Sequence, residues 1–320
     1  MRVLVTGGAG FIGSHITDAL LARGDSVTVL DNFDDSYDPE IKRRNLAQAR
    51  QHDRFTLITA DIRDTELVNE QFTRNNLDGV IHLAALAGVR ESLDKPALFN
   101  DVNVGGTLAL LEAAKDFGKP RFILASTSSV YGSSPAIPSS EDDPLLHVLS
   151  PYGATKIACE KLGHIYHVVH GLELVSLRFF TVYGPRQRPD MAIHRFVQAV
   201  LEGQEITLYG DGRSSRDYTY IDDIVQGVIA ALDSSLPYGI MNLGNNQTCE
   251  LMELVRLIED ACGKKAVILH LPEQPGDPQT TCADISRAQA LLGYEPRMSI
   301  SEGIRRFIEW FAASKVKLRQ

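Results

Sequence analysis

The stretch VLVTGGAGFIGSH, residues 3–15, decides the fold. It joins a short apolar run to glycines with the spacing G-x-G-x-x-G at Gly8, Gly10 and Gly13, and a helical pattern follows. Glycines in this arrangement permit a tight turn, close approach of the backbone to a pyrophosphate, and close packing of a helix on a strand. The N-terminus of the helix then faces the phosphates. Directly after a first strand, the motif predicts a dinucleotide-binding unit.

The ends of the next two predicted strands carry carboxylates. Asp31 follows Gly13 by 18 residues, where a carboxylate accepts hydrogen bonds from ribose hydroxyls and repels a 2′-phosphate, which favours NAD over NADP. The alternative for Asp31 is a turn residue of the DNFDD loop. Asp61 either meets the adenine or caps the helix that follows it. The residues predicted to bind NAD are Gly7, Gly10, Phe11, Ile12, Gly13, Asp31, Asn32, Asp61, Ile62, Leu83, Ala84, Ala85, Tyr152 and Lys156.

Outward from this motif, the chain alternates short apolar runs with helical patterns as far as about residue 180. Such alternation indicates a parallel sheet covered on both faces. Strands are predicted at Arg2–Thr6, Ser26–Leu30, Phe55–Thr59, Gly79–Leu83, Arg121–Ser126 and Leu174–Leu177. Helices are predicted at Phe11–Ala22, Ala97–Phe117, Ile193–Glu202, Ile224–Leu232, Glu250–Cys262, Ile285–Leu292 and Ser301–Ala312. We predict an α/β fold: a Rossmann-type, doubly wound parallel sheet in residues 1–184 and a smaller C-terminal α/β substrate domain in residues 185–320, with a return of residues 222–245 to the first domain left open.

Composition limits the functions that are possible. The chain has 320 residues, 44% of them hydrophobic, and 32 basic residues against 41 acidic ones, so its net charge of −9 argues against a nucleic-acid partner. Four cysteines without C-x-x-C spacing indicate reduced thiols, and no apolar run is long enough for a signal segment or a membrane span. We therefore expect a cytoplasmic protein. The histidines at positions 164, 167 and 170 lack further ligands, so no metal is predicted.

A tyrosine and a lysine lie four residues apart in SPYGATKIACEKL, at Tyr152 and Lys156. An (i, i+4) pair shares one face of a helix. Tyrosine has a reference pKa of about 10, and a nearby cation would bring its phenolate into working range. A surface helix pair is the alternative. The hydroxyls of Ser126–Ser129, directly after a predicted strand, favour catalysis, because open α/β folds bind ligands at the carboxyl ends of their strands.

Together, TGGAGFIG, HLAA, STSSVYG, Y-x-x-x-K and RDYTYIDD resemble the extended short-chain dehydrogenases/reductases, which include NAD-dependent nucleotide-sugar epimerases and dehydratases. The resemblance covers essentially the whole chain. It implies bound NAD, a C-terminal domain that binds a nucleoside diphosphate sugar, and a homodimer. It also implies that Tyr152 is the base acting on a sugar hydroxyl and that Lys156 lowers its pKa and holds the nicotinamide ribose. Thr127 and Ser128 would complete the catalytic group, with Ser128 contacting the reacting oxygen.

The stretch FFTVYGPRQRPDM resembles the UDP-glucuronate 4-epimerases within this family. Thr181 stands where most of the family's epimerases have Asn. The 4,6-dehydratases of the family carry an Asp-Glu pair after the residue equivalent to Thr127, and the decarboxylases a Glu where Ser129 stands; neither is present here. The expected reaction is 4-epimerisation of UDP-glucuronate to UDP-galacturonate through a 4-keto intermediate. The alternatives are a UDP-glucose/UDP-galactose 4-epimerase, a UDP-glucuronate decarboxylase, and a non-catalytic NAD(H)-binding sensor.

The arginines of this stretch are candidates for holding an anion. Guanidinium binds planar carboxylates through two parallel hydrogen bonds, so Arg188 is the candidate for the glucuronate carboxylate, with Thr181 beside it. Arg186 and Arg188 could instead be solvated loop residues, and Tyr209 could stack on uracil or be an apolar strand residue. The residues predicted to bind the UDP-sugar are Arg90, Ser128, Ser129, Thr181, Arg186, Arg188, Tyr209, Arg216 and Asp277. Arg178, inside an apolar strand, is expected to form a structural ion pair.

Overall fold

The computed structural model describes residues 1–134, 136–272 and 278–317. The strands are β1 (Arg2–Thr6), β2 (Ser26–Asp31), β3 (Phe55–Thr59), β4 (Gly79–His82), β5 (Arg121–Thr127), β6 (Leu174–Phe179), β7 (Thr181–Tyr183), β8 (Glu205–Tyr209), β9 (Ser215–Arg216), β10 (Tyr218–Tyr220), β11 (Tyr238–Leu243), β12 (Cys249–Glu250) and β13 (Val267–Leu271). The α-helices are α1 (Phe11–Arg23), α2 (Pro39–Asn45), α3 (Thr65–Asn75), α4 (Val89–Asp94), α5 (Pro96–Phe99), α6 (Gly106–Asp116), α7 (Pro151–His170), α8 (Ala192–Glu202), α9 (Ile221–Asp233), α10 (Leu251–Cys262), α11 (Ser286–Leu292) and α12 (Ile300–Lys317).

Seven of these strands form one parallel sheet in the order β11-β6-β5-β4-β1-β2-β3. The chain builds β1, β2 and β3 outward in one direction and then returns to place β4 on the other side of β1. Ligands bind in open α/β sheets at such a reversal, in the crevice beyond the carboxyl ends of the strands. The topology therefore places the site beyond β1 and β4.

Both faces of the sheet are covered. Val3 and Val5 of β1 belong to one apolar cluster and Leu4 to another, because successive strand residues point to opposite faces. One cluster includes residues of α1 and α9, and the other includes residues of α3, α6 and α7. All residues of β5 and β6 are buried, which explains why these strands read as continuous apolar runs. The Rossmann-type prediction is confirmed.

Each of the predicted strands is present within two residues of its expected bounds. The helix expected over Ala97–Phe117 is instead α5, a π-helical segment (Asn100–Gly105) and α6 in succession. This wide turn carries the buried Asn103, whose amide donates to the Leu86 carbonyl oxygen (3.0 Å) and accepts from the Leu86 N–H (2.8 Å). The π-helical turn therefore anchors the loop after β4, at the site's edge.

The later segments form smaller units beside the main sheet. Three two-stranded sheets pair β7 with β10, β9 with β12 and β8 with β13 in the described part of the chain. β11 pairs with β6, so residues 238–243 lie in the main sheet although they follow residue 185 in sequence. The proposed division of function between residues 1–184 and 185–320 stays a prediction.

Candidate active site

A cavity of about 450 Å³ lies beyond the carboxyl ends of β1 and β4. Every residue predicted to bind the cofactor lines it, together with Thr127, Ser128, Ser129, Thr181 and Arg188. Sequence positions from 7 to 188 thus meet in one cavity. The structure brings these predicted residues together; their individual roles remain proposals.

The glycine turn is shaped for close approach of a ligand. Gly7 has φ +69°, and a Cβ there would lie 2.7 Å from the Ala84 nitrogen. A Cβ on Gly13 would collide with the Gly7 carbonyl oxygen. The N-cap of α1 is Gly10, with no side-chain cap and no acidic residue in the first turn, so the helix presents its N–H groups and positive dipole end to the cavity. These features fit the pyrophosphate of a dinucleotide.

Asp31 is buried between two backbone donors. Its carboxylate accepts hydrogen bonds from the N–H groups of Ala9 and Phe33, each at 2.9 Å. Burial raises the pKa of Asp31, and these two hydrogen bonds oppose the rise. Each carboxylate oxygen retains a second lone pair for a ribose hydroxyl. Asp31 therefore holds the loop after β2 and also lines the cavity, so the turn role and the cofactor role are compatible.

Asp61 does not cap the helix that follows β3. That cap is Asp64, which accepts from the Leu67 N–H at 3.1 Å. Asp61 instead receives two hydrogen bonds at 2.9 Å from the Arg63 guanidinium and one at 3.1 Å from the Asn32 amide. The Arg63 contact is the main reason that the pKa of Asp61 falls to about 2. The capping alternative is wrong, and an ionised Asp61 lines the cavity.

The catalytic candidates lie on the first turns of α7. Ser150 caps this helix by accepting from the Gly153 N–H at 3.1 Å. The Lys156 ammonium group is buried and donates to the Ala125 carbonyl oxygen of β5 at 2.9 Å, and burial lowers its pKa. Burial also raises the pKa of Tyr152, whereas the Thr127 hydroxyl and the Arg188 charge lower it. The hydrogen bond of Lys156 joins α7 to β5, and its expected effect on the pKa of Tyr152 stays a prediction.

The hydroxyl cluster after β5 divides between two roles. The Thr127 hydroxyl accepts a hydrogen bond from the Ser129 N–H and donates one to the Ser129 hydroxyl, each at 3.2 Å. These two hydrogen bonds close a compact turn. Ser126 instead donates to Glu160 at 2.5 Å, and Glu160 forms a fully buried ion pair with Arg178 at 2.8 Å. The prediction of a structural ion pair for Arg178 is confirmed.

A second cavity of about 360 Å³ adjoins the first, and Thr181 and Met191 line both. The Arg90 guanidinium lies 5.0 Å from the centre of the Tyr209 ring in this second cavity. Arg216 also lines it and donates to the Ser215 carbonyl oxygen at 2.9 Å. A flat aromatic ring with one guanidinium beside it and a second guanidinium in the same cavity is suited to a nucleoside diphosphate.

The two arginines of the R-x-R stretch point to different places. Arg188 lines the first cavity, and its guanidinium forms a two-point contact with Asp190, with N–O distances of 3.0 and 2.6 Å. Arg186 lines neither cavity; it has φ +66° and pairs with Asp18 of α1 at 2.8 Å. The structure therefore does not bring Arg186 to the site. Asp277 lies outside the described residues.

Sequence reasoning missed several residues of the first cavity, and two of them lie close to Arg188 or to each other. Tyr37 and Lys42 line the first cavity, and the Lys42 ammonium lies 4.7 Å from the centre of the Tyr37 ring. The Arg188 guanidinium lies 5.8 Å from the same ring centre. The signal available in the sequence was an aromatic residue and a lysine in the polar loop after β2, DNFDDSYDPEIK. Without the fold, that loop gives no reason to place Tyr37 beside Arg188.

The described residues hold neither a metal-binding cluster nor a membrane-spanning helix. Among the described residues, no group of three or more histidine, cysteine, aspartate or glutamate side chains is arranged to hold a metal ion. None of the described helices has the length and apolar character needed to cross a membrane. All four cysteines are free.

A family model described as GDP-mannose 4,6 dehydratase matches residues 4–307. The chain belongs to this family. A UDP-glucuronate 4-epimerase of Thermodesulfobacterium geofontis is 44% identical over 309 residues, which cover 96% of this chain and 95% of that protein. The family predicted from the sequence is therefore confirmed.

Solved structures agree with this assignment. A UDP-glucuronic acid 4-epimerase from Bacillus cereus, in complex with UDP-glucuronic acid and NAD, matches with a TM-score of 0.93 and 40% identity over 98% of this chain and 100% of that one. A UDP-glucose 4-epimerase from Thermotoga maritima with UDP-glucose matches with a TM-score of 0.90 and 32% identity, with the same coverage. The family's description names a 4,6-dehydratase, but this chain does not have the Asp-Glu acid–base pair of those enzymes, since Ser128 and Ser129 follow Thr127.

Proposed function

We propose that the protein is an NAD-dependent isomerase that interconverts UDP-glucuronate and UDP-galacturonate by epimerisation at C4′. The observation that carries the proposal is the position of Arg188, which lines the cofactor cavity together with Thr181, a residue that also lines the second cavity. The Arg188 charge also lowers the pKa of Tyr152. A guanidinium at this boundary lies where a sugar would lie between nicotinamide and diphosphate. The UDP-glucuronate 4-epimerase relatives support the same substrate.

Binding of the substrate divides between the two cavities. The glycine turn and Asp31 would hold NAD in the first cavity. Arg90, Tyr209 and Arg216 would hold the uridine diphosphate in the second, which directs the sugar toward Tyr152. When bound, NAD would supply the hydride acceptor for C4′ and, once reduced, the hydride donor for the opposite face of the same carbon.

The protein's own groups handle the proton. Tyr152 removes the O4′ proton as the alcohol becomes a ketone and returns a proton to O4′ when the ketone is reduced. Thr127 and Ser128, which line the cavity beside Tyr152, hydrogen-bond the reacting oxygen. Lys156, anchored on Ala125, positions α7 and the nicotinamide ribose. Between the two proton transfers the keto sugar turns within the cavity, so its other face meets the cofactor.

The intermediate is a β-keto acid, and it loses CO₂ most readily when the bond to the carboxyl group stands perpendicular to the ketone plane. An epimerase must hold the carboxylate away from that geometry. Arg188 and Thr181 are placed to do so, since the fork of a guanidinium fixes both the position and the plane of a carboxylate. A decarboxylase is disfavoured because Ser129 stands where that group carries Glu.

The test is incubation of the purified protein with UDP-glucuronate, without added cofactor, followed by NMR identification of the sugar. We expect UDP-galacturonate to accumulate to an equilibrium mixture. UDP-pentose as the main product would indicate a decarboxylase. Turnover of UDP-glucose but not of UDP-glucuronate would indicate a neutral-sugar epimerase, and bound NAD with no turnover of either would indicate a sensor.

We also infer a homodimer in the cytoplasm. Apolar side chains are exposed on two adjacent helices, Leu108 on α6 and Ile165, Val168 and Val169 on α7, with Tyr166 of α7 bonded to Glu112 of α6. A contiguous exposed apolar patch favours burial against a partner, and a second copy offers the same patch by symmetry. Four free cysteines are in keeping with a reducing compartment.

A further inference from the structure

The guanidinium of Arg188 is held on three sides. Its Nε and Nη2 atoms donate to the two carboxylate oxygens of Asp190 at 3.0 and 2.6 Å. Its Nη1 and Nη2 atoms both lie 3.4 Å from the Ala87 carbonyl oxygen. The ring of Tyr37 approaches its centre at 5.8 Å. One edge of the fork is therefore occupied by a carboxylate of the protein itself.

The pair lies where the two cavities meet. Arg188 lines the cofactor cavity, Asp190 lines the second cavity, and Met191, the next residue in the chain, lines both. Pro189 separates the two charged residues and restricts the backbone between them. The pair is thus a local, short-range contact at the place assigned above to the sugar's carboxylate.

The two side chains differ in how firmly they are held. The Arg188 side chain is 22% exposed, whereas that of Asp190 is 51% exposed. Asp190 is thus the partner that can rotate into solvent, at the cost of its two-point contact with Arg188. Arg188 remains fixed by Ala87 and Tyr37. Displacement of the pair would move the carboxylate and leave the guanidinium in place.

We propose that Asp190 occupies the carboxylate-binding edge of Arg188 until a substrate carboxylate replaces it, and so tunes the affinity for acid sugars alone. The inference rests on the function proposed above. A glucuronate carboxylate matches the charge and the two-point geometry of Asp190 and exchanges with it. The neutral hydroxymethyl group of UDP-glucose offers one uncharged oxygen, so it does not compete for this edge. Asp190 therefore lowers the affinity for the acid sugar, whereas a neutral sugar leaves the Asp190–Arg188 pair intact.

The experiment compares binding of UDP-glucuronate, UDP-glucose and UDP to the NAD-loaded protein by calorimetry, in a Tyr152→Phe background that prevents turnover. Asp190→Asn keeps the shape of the side chain and removes its charge. The dissociation constant for UDP-glucuronate should fall by about threefold to tenfold, the range expected when an ion pair no longer competes for a partly buried guanidinium. Those for UDP-glucose and UDP should change by less than about twofold, since neither carries the carboxylate.

Asp211→Asn is the matched control. Asp211 lines the same cavity, but its described partner is Arg213 at 3.5 Å, so this variant removes one negative charge without touching Arg188. It should shift the three ligands by similar factors. Adding Arg188→Ala should abolish the effect of Asp190→Asn on UDP-glucuronate.

Weaker binding of UDP-glucuronate to Asp190→Asn would overturn the inference, because Asp190 would then be a partner that orients Arg188. An equal shift of all three ligands, or no shift, would overturn it as well. The NMR assay on the wild type separates this from failure of the proposed function. If UDP-galacturonate forms and Asp190→Asn behaves in one of these ways, only the role of Asp190 is wrong; if none forms, the substrate assignment itself is wrong.

Discussion

At the scale of single residues, Tyr152 is subject to opposing influences. Burial raises its pKa, whereas the Thr127 hydroxyl and the Arg188 charge lower it. The phenol group can therefore act as a base only while such polar neighbours stabilise its ionised form. Tyr152→Phe removes the hydroxyl and keeps the ring that packs edge-on against Phe99. We expect the variant to retain bound NAD and to lose turnover by roughly two to four orders of magnitude, the usual contribution of a positioned acid–base group. The measurement is kcat for UDP-glucuronate alongside the amount of NAD that copurifies.

The matched control for that variant is Tyr166→Phe. Tyr166 lies on the same helix as Tyr152 but away from the cavity, and its hydroxyl is hydrogen-bonded to Glu112 of α6. It should keep turnover close to that of the wild type. Near-normal activity in Tyr152→Phe would exclude Tyr152 as the base.

Arg188 makes a second prediction at this scale. Arg188→Ala should reduce kcat/KM for UDP-glucuronate roughly tenfold to more than a hundredfold, because a charge-assisted contact contributes about 1.5–3 kcal/mol. Turnover of the neutral analogue UDP-glucose should suffer far less. A loosened carboxylate also reaches the perpendicular geometry more often, so UDP-pentose products should rise relative to epimerisation. Both sugars and all products are quantified in wild type and variant.

Arg186→Ala is the control, since Arg186 lies two residues away and pairs with Asp18 outside the site. Equal losses on both sugars in Arg188→Ala, without pentose products, would show that Arg188 does not hold the carboxylate. An acid-selective loss in Arg186→Ala would move that role to Arg186.

The same residues show where reasoning from sequence ends. The motif identified Arg188 because guanidinium chemistry and the R-P-D-M pattern point to a carboxylate. It could not separate Arg188 from Arg186, because the left-handed backbone of Arg186, with φ +66°, turns that side chain toward α1. Backbone conformation of this kind depends on the packing of the whole turn. Tyr37 was missed for a similar reason, since its loop has no apolar pattern.

At the scale of elements, β4 carries a buried titratable group. His82 is 1% exposed, and its ring nitrogens contact the hydroxyls of Thr6 (2.7 Å) and Thr107 (3.0 Å). Burial, together with the charge of Lys156, lowers the pKa of His82 to about 3. The imidazole is therefore neutral in the fold at pH 4 to 7. It joins β1, β4 and α6 through hydroxyl contacts directly below the cavity.

This arrangement predicts a pH dependence of stability. Above the unfolded pKa of about 6.5 neither state binds the proton, and the full stability is present. As the pH falls from 6.5 toward 4 the unfolded chain binds a proton at this position and the fold does not, so the free energy of unfolding falls by about 1.4 kcal/mol per pH unit on account of this residue. In His82→Gln, the slope of the free energy of unfolding against pH should be shallower by that amount. Denaturant titrations at several pH values measure this slope.

His52→Gln, at an exposed position in a loop, is the control and should keep the wild-type slope. Identical slopes for wild type and His82→Gln would mean that His82 is protonated in the fold.

Elements differ in how far the sequence determines them. Six of the seven strands of the main sheet follow from apolar periodicity and were predicted within two residues of their bounds. The π-helical segment from Asn100 to Gly105 was not, because its wide turn depends on contacts of Asn103 with Leu86 and Thr155, which are distant in sequence. The segment from 238 to 243 was left open for a comparable reason: only its pairing with β6 places it in the sheet.

At the scale of the whole molecule, the topology explains why the site could be predicted as a set. Most of the predicted cofactor residues lie at or just after the carboxyl end of a strand, and parallel strands of one sheet end at the same edge, so these residues converge without any knowledge of their contacts. Tyr152 and Lys156 lie on α7, and the Y-x-x-x-K motif predicted them instead. No comparable rule predicts the residues of the second cavity. Its lining comes from small paired strands, from α4, α8 and α10 and from the loops between these elements, and only the resemblance to known epimerases connected Arg90, Tyr209 and Arg216.

The exposed apolar patch on α6 and α7 gives the prediction that concerns the molecule as an assembly. Ile165 and Val169 lie one helical turn apart on α7 and are 49% and 66% exposed. In a twofold interface each residue occurs twice, so one added charge places two like charges in an apolar contact. We therefore expect the wild type to sediment at about twice the chain mass of 35.2 kDa, and Ile165→Glu/Val169→Glu to sediment as a monomer with an unchanged circular dichroism spectrum.

The matched control is Val267→Glu, which replaces an apolar residue of β13 that is 54% exposed with a charged one. This variant should remain a dimer. A monomeric wild type would refute the homodimer, and a variant that stays dimeric would place the interface on another face of the protein.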